Sequence, residues 1–334
     1  MLVGSGDTTY TWNDDWAEIP NPEEAKGGWS HHGVVVTEAG NIIASHPASP
    51  DLLEFDQDGR LLGSVSTSLT ECHGMTLVKE GDAEFLWIAD IGRKRHKVNG
   101  GYEYIESEQG PKVVKMSLSG ETVMTLGRPE HPAYETGTYT PTSVAVHEER
   151  HGGNGDIWVA DGYGENYVHR FDKAGNYIGG VNGEEGQTGA FDGPHTAWVD
   201  TRKDEPELYI GDRSNGRVQV YDLEGQYKRA FGSEWAMSPT GFASDGDLMI
   251  IIELHANLAI VDPEDNLVVE IGTNRAVIDV EGWPNVTNAN GETVRTHLLE
   301  TGKFNSPHGV AADAAGNIYV SEWLIGGRYI KLSK

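Results

Sequence analysis

An all-β fold of six four-stranded propeller blades is predicted by three observations on this 334-residue chain. One short phrase recurs six times, at intervals of roughly 41 to 69 residues. Each recurrence is followed by short apolar runs separated by Gly, Asp and Asn turns, the pattern of antiparallel strands. Glycine is abundant, at 43 residues, and supplies the turns that many short strands need.

The phrase reads His32-Gly33-Val34-Val35-Val36, Cys72-His73-Gly74-Met75, Pro141-Thr142-Ser143-Val144, Pro194-His195-Thr196-Ala197, Pro239-Thr240-Gly241-Phe242 and Pro307-His308-Gly309-Val310. It marks the innermost strand of each blade. A second run ends in a polar or acidic residue, as in Glu84-Phe85-Leu86-Trp87-Ile88-Ala89-Asp90, Ile157-Trp158-Val159-Ala160-Asp161 and Ile318-Tyr319-Val320-Ser321-Glu322. A third run closes on a turn, as in Val168-His169-Arg170-Phe171-Asp172-Lys173-Ala174-Gly175, and a fourth completes the unit, as in Tyr227-Lys228-Arg229-Ala230-Phe231. A single blade cannot bury both faces, so the units pack side by side and the whole of residues 1–334 is expected to form one propeller domain.

The sixth unit stops after its third strand, at Arg328–Lys334. A raw sheet edge there would be a liability. Thr8-Thr9-Tyr10-Thr11-Trp12 precedes the first unit and has strand composition, so it is expected to supply the missing strand and close the ring. Two insertions, at residues 93–111 and 274–304, are expected to be long loops, which in compact domains often bind ligands. The basic cluster Arg93-Lys94-Arg95-His96-Lys97 is either a solvated loop paired with carboxylates or a contact for a substrate anion.

The formal charge of −27 argues against nucleic acid or an anionic membrane as partner. No apolar run approaches the roughly 18 residues of a transmembrane helix. Met1–Tyr10 lacks a basic segment followed by an apolar one, so no signal peptide is visible. The single cysteine, Cys72, leaves no internal disulfide.

The variable slot of the phrase holds His32, His73, Thr142, His195, Thr240 and His308. The start of each innermost strand lies at one mouth of the central channel. His73, His195 and His308 fall on blades two, four and six, about 120° apart in a six-fold ring. Three imidazoles converging at that angle suit Zn²⁺, or another divalent metal, with a position left open for substrate. His32 is a ligand, an acid/base or a hydrogen-bond donor. The second runs end at Asp90, Asp161, Asp212, Glu253 and Glu322, which are expected to hold turns. Just beyond them stand Tyr163, Arg213 and His255, on the same rim as the histidines. A phenol and a guanidinium beside a metal suit a general base and an anion clamp.

From about residue 30 onward the chain resembles the six-bladed propellers of the NHL type, and in particular the peptidyl-α-hydroxyglycine α-amidating lyases. The segments that carry the resemblance are Cys72-His73-Gly74, Pro141-Thr142-Ser143-Val144, Asp161-Gly162-Tyr163, Phe191-Asp192-Gly193-Pro194-His195, Asp212-Arg213-Ser214-Asn215-Gly216-Arg217 and Pro307-His308-Gly309. The resemblance implies a catalytic zinc on His73, His195 and His308, Tyr163 as base, and Arg213 in the active site. It implies cleavage of a carbinolamide C–N bond to an amide and glyoxylate. The chain departs from that pattern at three places. Ala44-Ser45-His46-Pro47 stands where the family has a second arginine, Gly309 replaces an aspartate that helps bind a structural Ca²⁺, and Gly164 replaces a cysteine.

Three readings follow. The first is a metal-dependent lyase acting on an α-hydroxy-amide or related small anionic acid. The second is another metal-dependent propeller enzyme, a hydrolase, lactonase or isomerase, with His32, His46 or His255 as acid/base. The third is a non-catalytic propeller that binds a ligand.

Overall fold

The computed structural model describes residues 1–334 and is a six-bladed β-propeller of antiparallel sheets, each with four strands or more. In the first blade, Val34–Val36, Ile42–Ser45, Leu52–Phe55 and Leu61–Val65 lie in chain order. The second to fifth blades repeat that order, beginning at Cys72–Glu80, Ser143–Val146, Pro194–Asp200 and Pro239–Asp245. No helix is long and apolar enough to cross a membrane.

The chain divides into two compact units. The first comprises Met1–Cys72, Arg93–Glu108 and Ala243–Lys334, and the second His73–Gly92 and Gln109–Phe242. The first unit has two buried apolar clusters. One gathers Tyr10, Trp12, Ile250, Leu258, Phe304 and Ile330, and the other Trp16, Ile42, Phe55, Tyr319 and Tyr329. The second unit is built around Trp87, Val113, Val144 and Val159 on one side of a blade and Trp158, Phe191, Leu208 and Tyr221 on another. Each central strand is buried on both faces, which is why its residues run Val-Ile-Trp without polar alternation.

Within the first unit the sixth sheet runs Pro307–Ala312, Ile318–Glu322, Arg328–Ser333, Thr8–Asn13 and Leu2–Ser5. The N-terminal strand pairs Thr11 with Ser333, Trp12 with Leu332 and Asn13 with Lys331. Its burial alternates with period two. Thr8, Tyr10 and Trp12 face inward, and Trp12 packs its ring 4.7 Å from that of Phe304. The outermost strand, Leu2–Ser5, is a further addition that the sequence pattern does not announce.

The insertion at 93–111 is a hairpin, not the expected loop. Arg93–Val98 pairs with Gly101–Glu106 through Asn99 and Gly100, whose φ values are 49° and 85°. An Asn-Gly pair with both residues left-handed matches the twist of the strands it joins. The hairpin is anchored within its unit by a bridge between Arg95 and Trp29 and by the Tyr102 hydroxyl, which donates to the Gly27 carbonyl at 2.7 Å. The insertion at 274–304 is also partly ordered. It holds a short 3₁₀ turn, Arg275–Asp279, and a two-residue pairing of Val286–Thr287 with Thr293–Val294. Its Thr293 N–H donates to the Gly100 carbonyl at 2.8 Å, so the two insertions brace each other.

Candidate functional site

The slot histidines owe their orientation to the ends of the innermost strands. Between Pro194 and Thr196 the ladder register shifts by one, leaving His195 as the extra residue, and the same happens at His308 between Pro307 and Gly309. A bulge of this kind turns a side chain out of the regular alternation.

In the second unit His73 and His195 are both buried, and their rings lie 4.9 Å apart. His73 Nδ1 is 2.8 Å from the Thr142 carbonyl oxygen, and His195 Nδ1 is 3.1 Å from that of Thr240. A carbonyl can only accept, so Nδ1 carries the proton in both rings and Nε2 presents a lone pair. In the first unit His308 Nδ1 lies 3.4 Å from the His32 carbonyl oxygen in the same relation. Each histidine of an even-numbered blade therefore addresses the slot residue of the next blade. A backbone acceptor on the far nitrogen is the second layer that metal-binding imidazoles characteristically have. The donor set fits a divalent ion on this ground.

Tyr163 stands against this pair. Its hydroxyl is 3.3 Å from His73 Nε2 and 3.2 Å from His195 Nε2. Arg213 Nη1 donates to the same oxygen at 3.3 Å, and its guanidinium lies 5.2 Å from the Tyr163 ring centre. Four of the residues singled out in the sequence, His73, His195, Tyr163 and Arg213, thus meet at one point. Both Tyr163 and Arg213 follow an aspartate fixed within the blade. Asp161 accepts from Thr140 N–H at 2.6 Å and Glu165 N–H at 2.8 Å, and Asp212 accepts from Asp192 N–H at 2.8 Å and from Arg217 at 2.7 Å. These carboxylates hold turns.

In the first unit the neighbour of His308 is His31, with ring centres 5.0 Å apart. His31 is held by Glu71, which accepts from its backbone N–H at 2.5 Å and lies 3.2 Å from its Nδ1. Lys94, itself buried, pairs with the same carboxylate at 2.7 Å. Burial, followed by the fields of His308 and Arg95, pushes the His31 imidazole well below its ordinary range, so it is neutral.

His32 packs its ring against Tyr329, with ring centres 5.4 Å apart. It is fully buried, its Nδ1 is 3.4 Å from the Tyr329 hydroxyl, and burial lowers it to about 3. Its carbonyl, not its ring, serves His308. His255 stands in a turn with its ring 5.8 Å from that of Trp283. His46 is buried and accepts from the Ala48 and Ser49 N–H groups through Nδ1, a turn-holding role.

The residue that sequence reasoning passed over is His31. The His-His-Gly triplet was the available signal. The strand begins only at Val34, so its alternation does not extend back far enough to say which of the two rings turns inward.

No family model matches the chain. A stretch of 153 residues, 45% of the chain, is 31% identical to a probable peptidyl-α-hydroxyglycine α-amidating lyase of Caenorhabditis elegans and covers 36% of that protein. Another of 217 residues, 62% of the chain, is 26% identical to NHL repeat-containing protein 3 of Mus musculus and covers 56% of it. The chain thus spans between about a third and just over half of these curated relatives. Among solved structures, virginiamycin B lyase from Staphylococcus aureus superposes with a TM-score of 0.57 at 12% identity over 97% of this chain and 99% of that one, a likeness of fold. The resemblance to the amidating-lyase and NHL propellers is supported by the relatives' names and by the blades themselves.

Proposed function

We propose that this chain is a metal-dependent lyase that cleaves the C–N bond of an α-hydroxy-amide bearing a carboxylate. The observation that carries the reading is the meeting of Tyr163 with His73, His195 and Arg213, with both imidazoles locked in the tautomer that offers Nε2. His73, His195 and His308 are the ligands this reading assigns. His31, whose ring centre lies 5.0 Å from that of His308, is the fourth candidate. A divalent ion there, zinc by preference, would polarise the substrate hydroxyl and lower its pKa.

The remaining work falls to the chain. Tyr163 takes the proton of the substrate hydroxyl. The freed electron pair closes to a carbonyl and the carbon–nitrogen bond breaks. The departing amide nitrogen takes the proton back from Tyr163, so that the products are an amide and an α-oxo acid. Arg213 holds the carboxylate and, by donating to the phenol oxygen, fixes the position of Tyr163.

The test is release of glyoxylate from an N-acyl-α-hydroxyglycine. Tyr163→Phe should lower turnover by about a hundredfold or more, the scale of a lost general base, while the metal content stays unchanged. Turnover that survives this substitution would favour a different base and a different reaction.

A further inference from the structure

The hairpin Arg93–Glu106 places an arginine in an aromatic setting within the first unit. The Arg95 guanidinium lies 4.5 Å from the ring centre of Trp29, 4.3 Å from that of Tyr104 and 5.7 Å from that of Trp323. Trp29 and Trp323 are themselves in contact, at 5.2 Å, and His31 stacks on Trp323 at the same distance. The cluster therefore adjoins the ring that neighbours His308.

Two features set Arg95 apart. The chain has 52 acidic residues against 25 Lys and Arg, yet no carboxylate lies within ion-pairing distance of Arg95. Its neighbours on the hairpin do have such partners, Lys94 in Glu71 and Arg93, more loosely, in Glu106. Moreover, four buried N–H donors in this one cluster lack acceptors: Nε of Arg95 and of Arg93, and the indole nitrogens of Trp29 and Trp323. Buried donors without acceptors are costly, and several gathered around an unpaired cation mark a place where an acceptor is missing. The rings that flank the guanidinium hold its plane fixed and leave its edge available for a two-point contact.

We propose that Arg95, held in place by Trp29, Tyr104 and Trp323, forms a recognition site for a small carboxylate. The carboxylate meets the edge of Arg95. The proposal rests on the reading above only in taking the ligand to be part of the substrate.

The experiment is a titration of intrinsic tryptophan fluorescence with phenylacetate, and with its neutral isostere phenylacetamide, on the full chain. Phenylacetate should bind at millimolar concentration and more tightly than the amide. Arg95→Gln should weaken phenylacetate by about tenfold or more, the size of a charge-assisted contact, and leave the amide unchanged. Arg95→Lys, which keeps the charge and the fold but loses the planar edge, should recover only part of the binding. Both titrations read binding alone, without turnover, so failure of the lyase reading would not disturb this result. Equal binding of acid and amide, no response to phenylacetate, or an Arg95→Gln chain that binds like the original would each overturn the proposal.

Discussion

Gly74 and Gly309 each follow a slot histidine, and each lies where no side chain fits. A Cβ at Gly74 would collide with the Thr142 carbonyl oxygen, and one at Gly309 with that of His32. These are the same carbonyls that fix the His73 and His308 rings. Glycine at both positions therefore lets the neighbouring blade come close enough to hold the imidazole. Gly74→Ala should cost about 2 kcal/mol or more, read as a lower urea midpoint, and should weaken metal retention at the same time. A variant with unchanged stability and metal content would disprove this link. At this scale His73, His195, Tyr163 and Arg213 were legible because a repeat carries its register from blade to blade. His31 was not, because it precedes the strand whose alternation would have oriented it.

Within a blade, buried polar groups are held in chains of bonds that fix their protonation. In the third blade Tyr134 donates to Asp161 at 2.7 Å, which leaves its oxygen to accept from His169 Nε2 at 2.6 Å. His169 Nδ1 is then free to accept from the Tyr177 hydroxyl at 3.3 Å. A neutral imidazole satisfies both bonds, and a charged one would lose the second. Burial, followed by the field of His131, lowers His169 to about 3, against 6.5 in an unfolded chain. Between those values the unfolded chain binds a proton that the folded one does not, so stability rises with pH and is complete above about 6.5. His32, lowered to about 3, adds a contribution of the same sign. Denaturation midpoints should therefore fall on acidification below about pH 6.5, and His169→Gln should make that fall shallower. An unaltered slope would remove His169 from the account. The blades' strands were legible as elements because each is a short apolar run bounded by turns. The hairpin Arg93–Glu106 was obscured by five consecutive basic residues, Arg93 to Lys97, that suggest a solvated loop. Its Asn99-Gly100 turn and the spacing of Tyr102 and Tyr104 were the overlooked signs.

Across the molecule, the two ends of the chain meet in one sheet. Trp12 and Tyr10 are almost fully buried, and the Arg328 guanidinium lies 5.5 Å from the Trp12 ring centre. Removing residues 1–13 would strip the edge of Arg328–Ser333 and open the cluster around Phe304. Such a chain should be destabilised by more than the roughly 3–5 kcal/mol expected for Trp12→Ala alone, and should aggregate through the bared edge. A truncated chain that stays monomeric with an unchanged melting temperature would contradict this.

The central claim is that histidines at equivalent places in alternate blades hold a metal. Elemental mass spectrometry of the purified chain, alongside the His73→Ala/His195→Ala double variant, tests it most directly. About one equivalent of divalent metal is expected in the parent, and its loss in the variant, since three imidazoles complete a site that one cannot. A parent chain that holds no metal, even after reconstitution with zinc, iron and manganese salts, would contradict it.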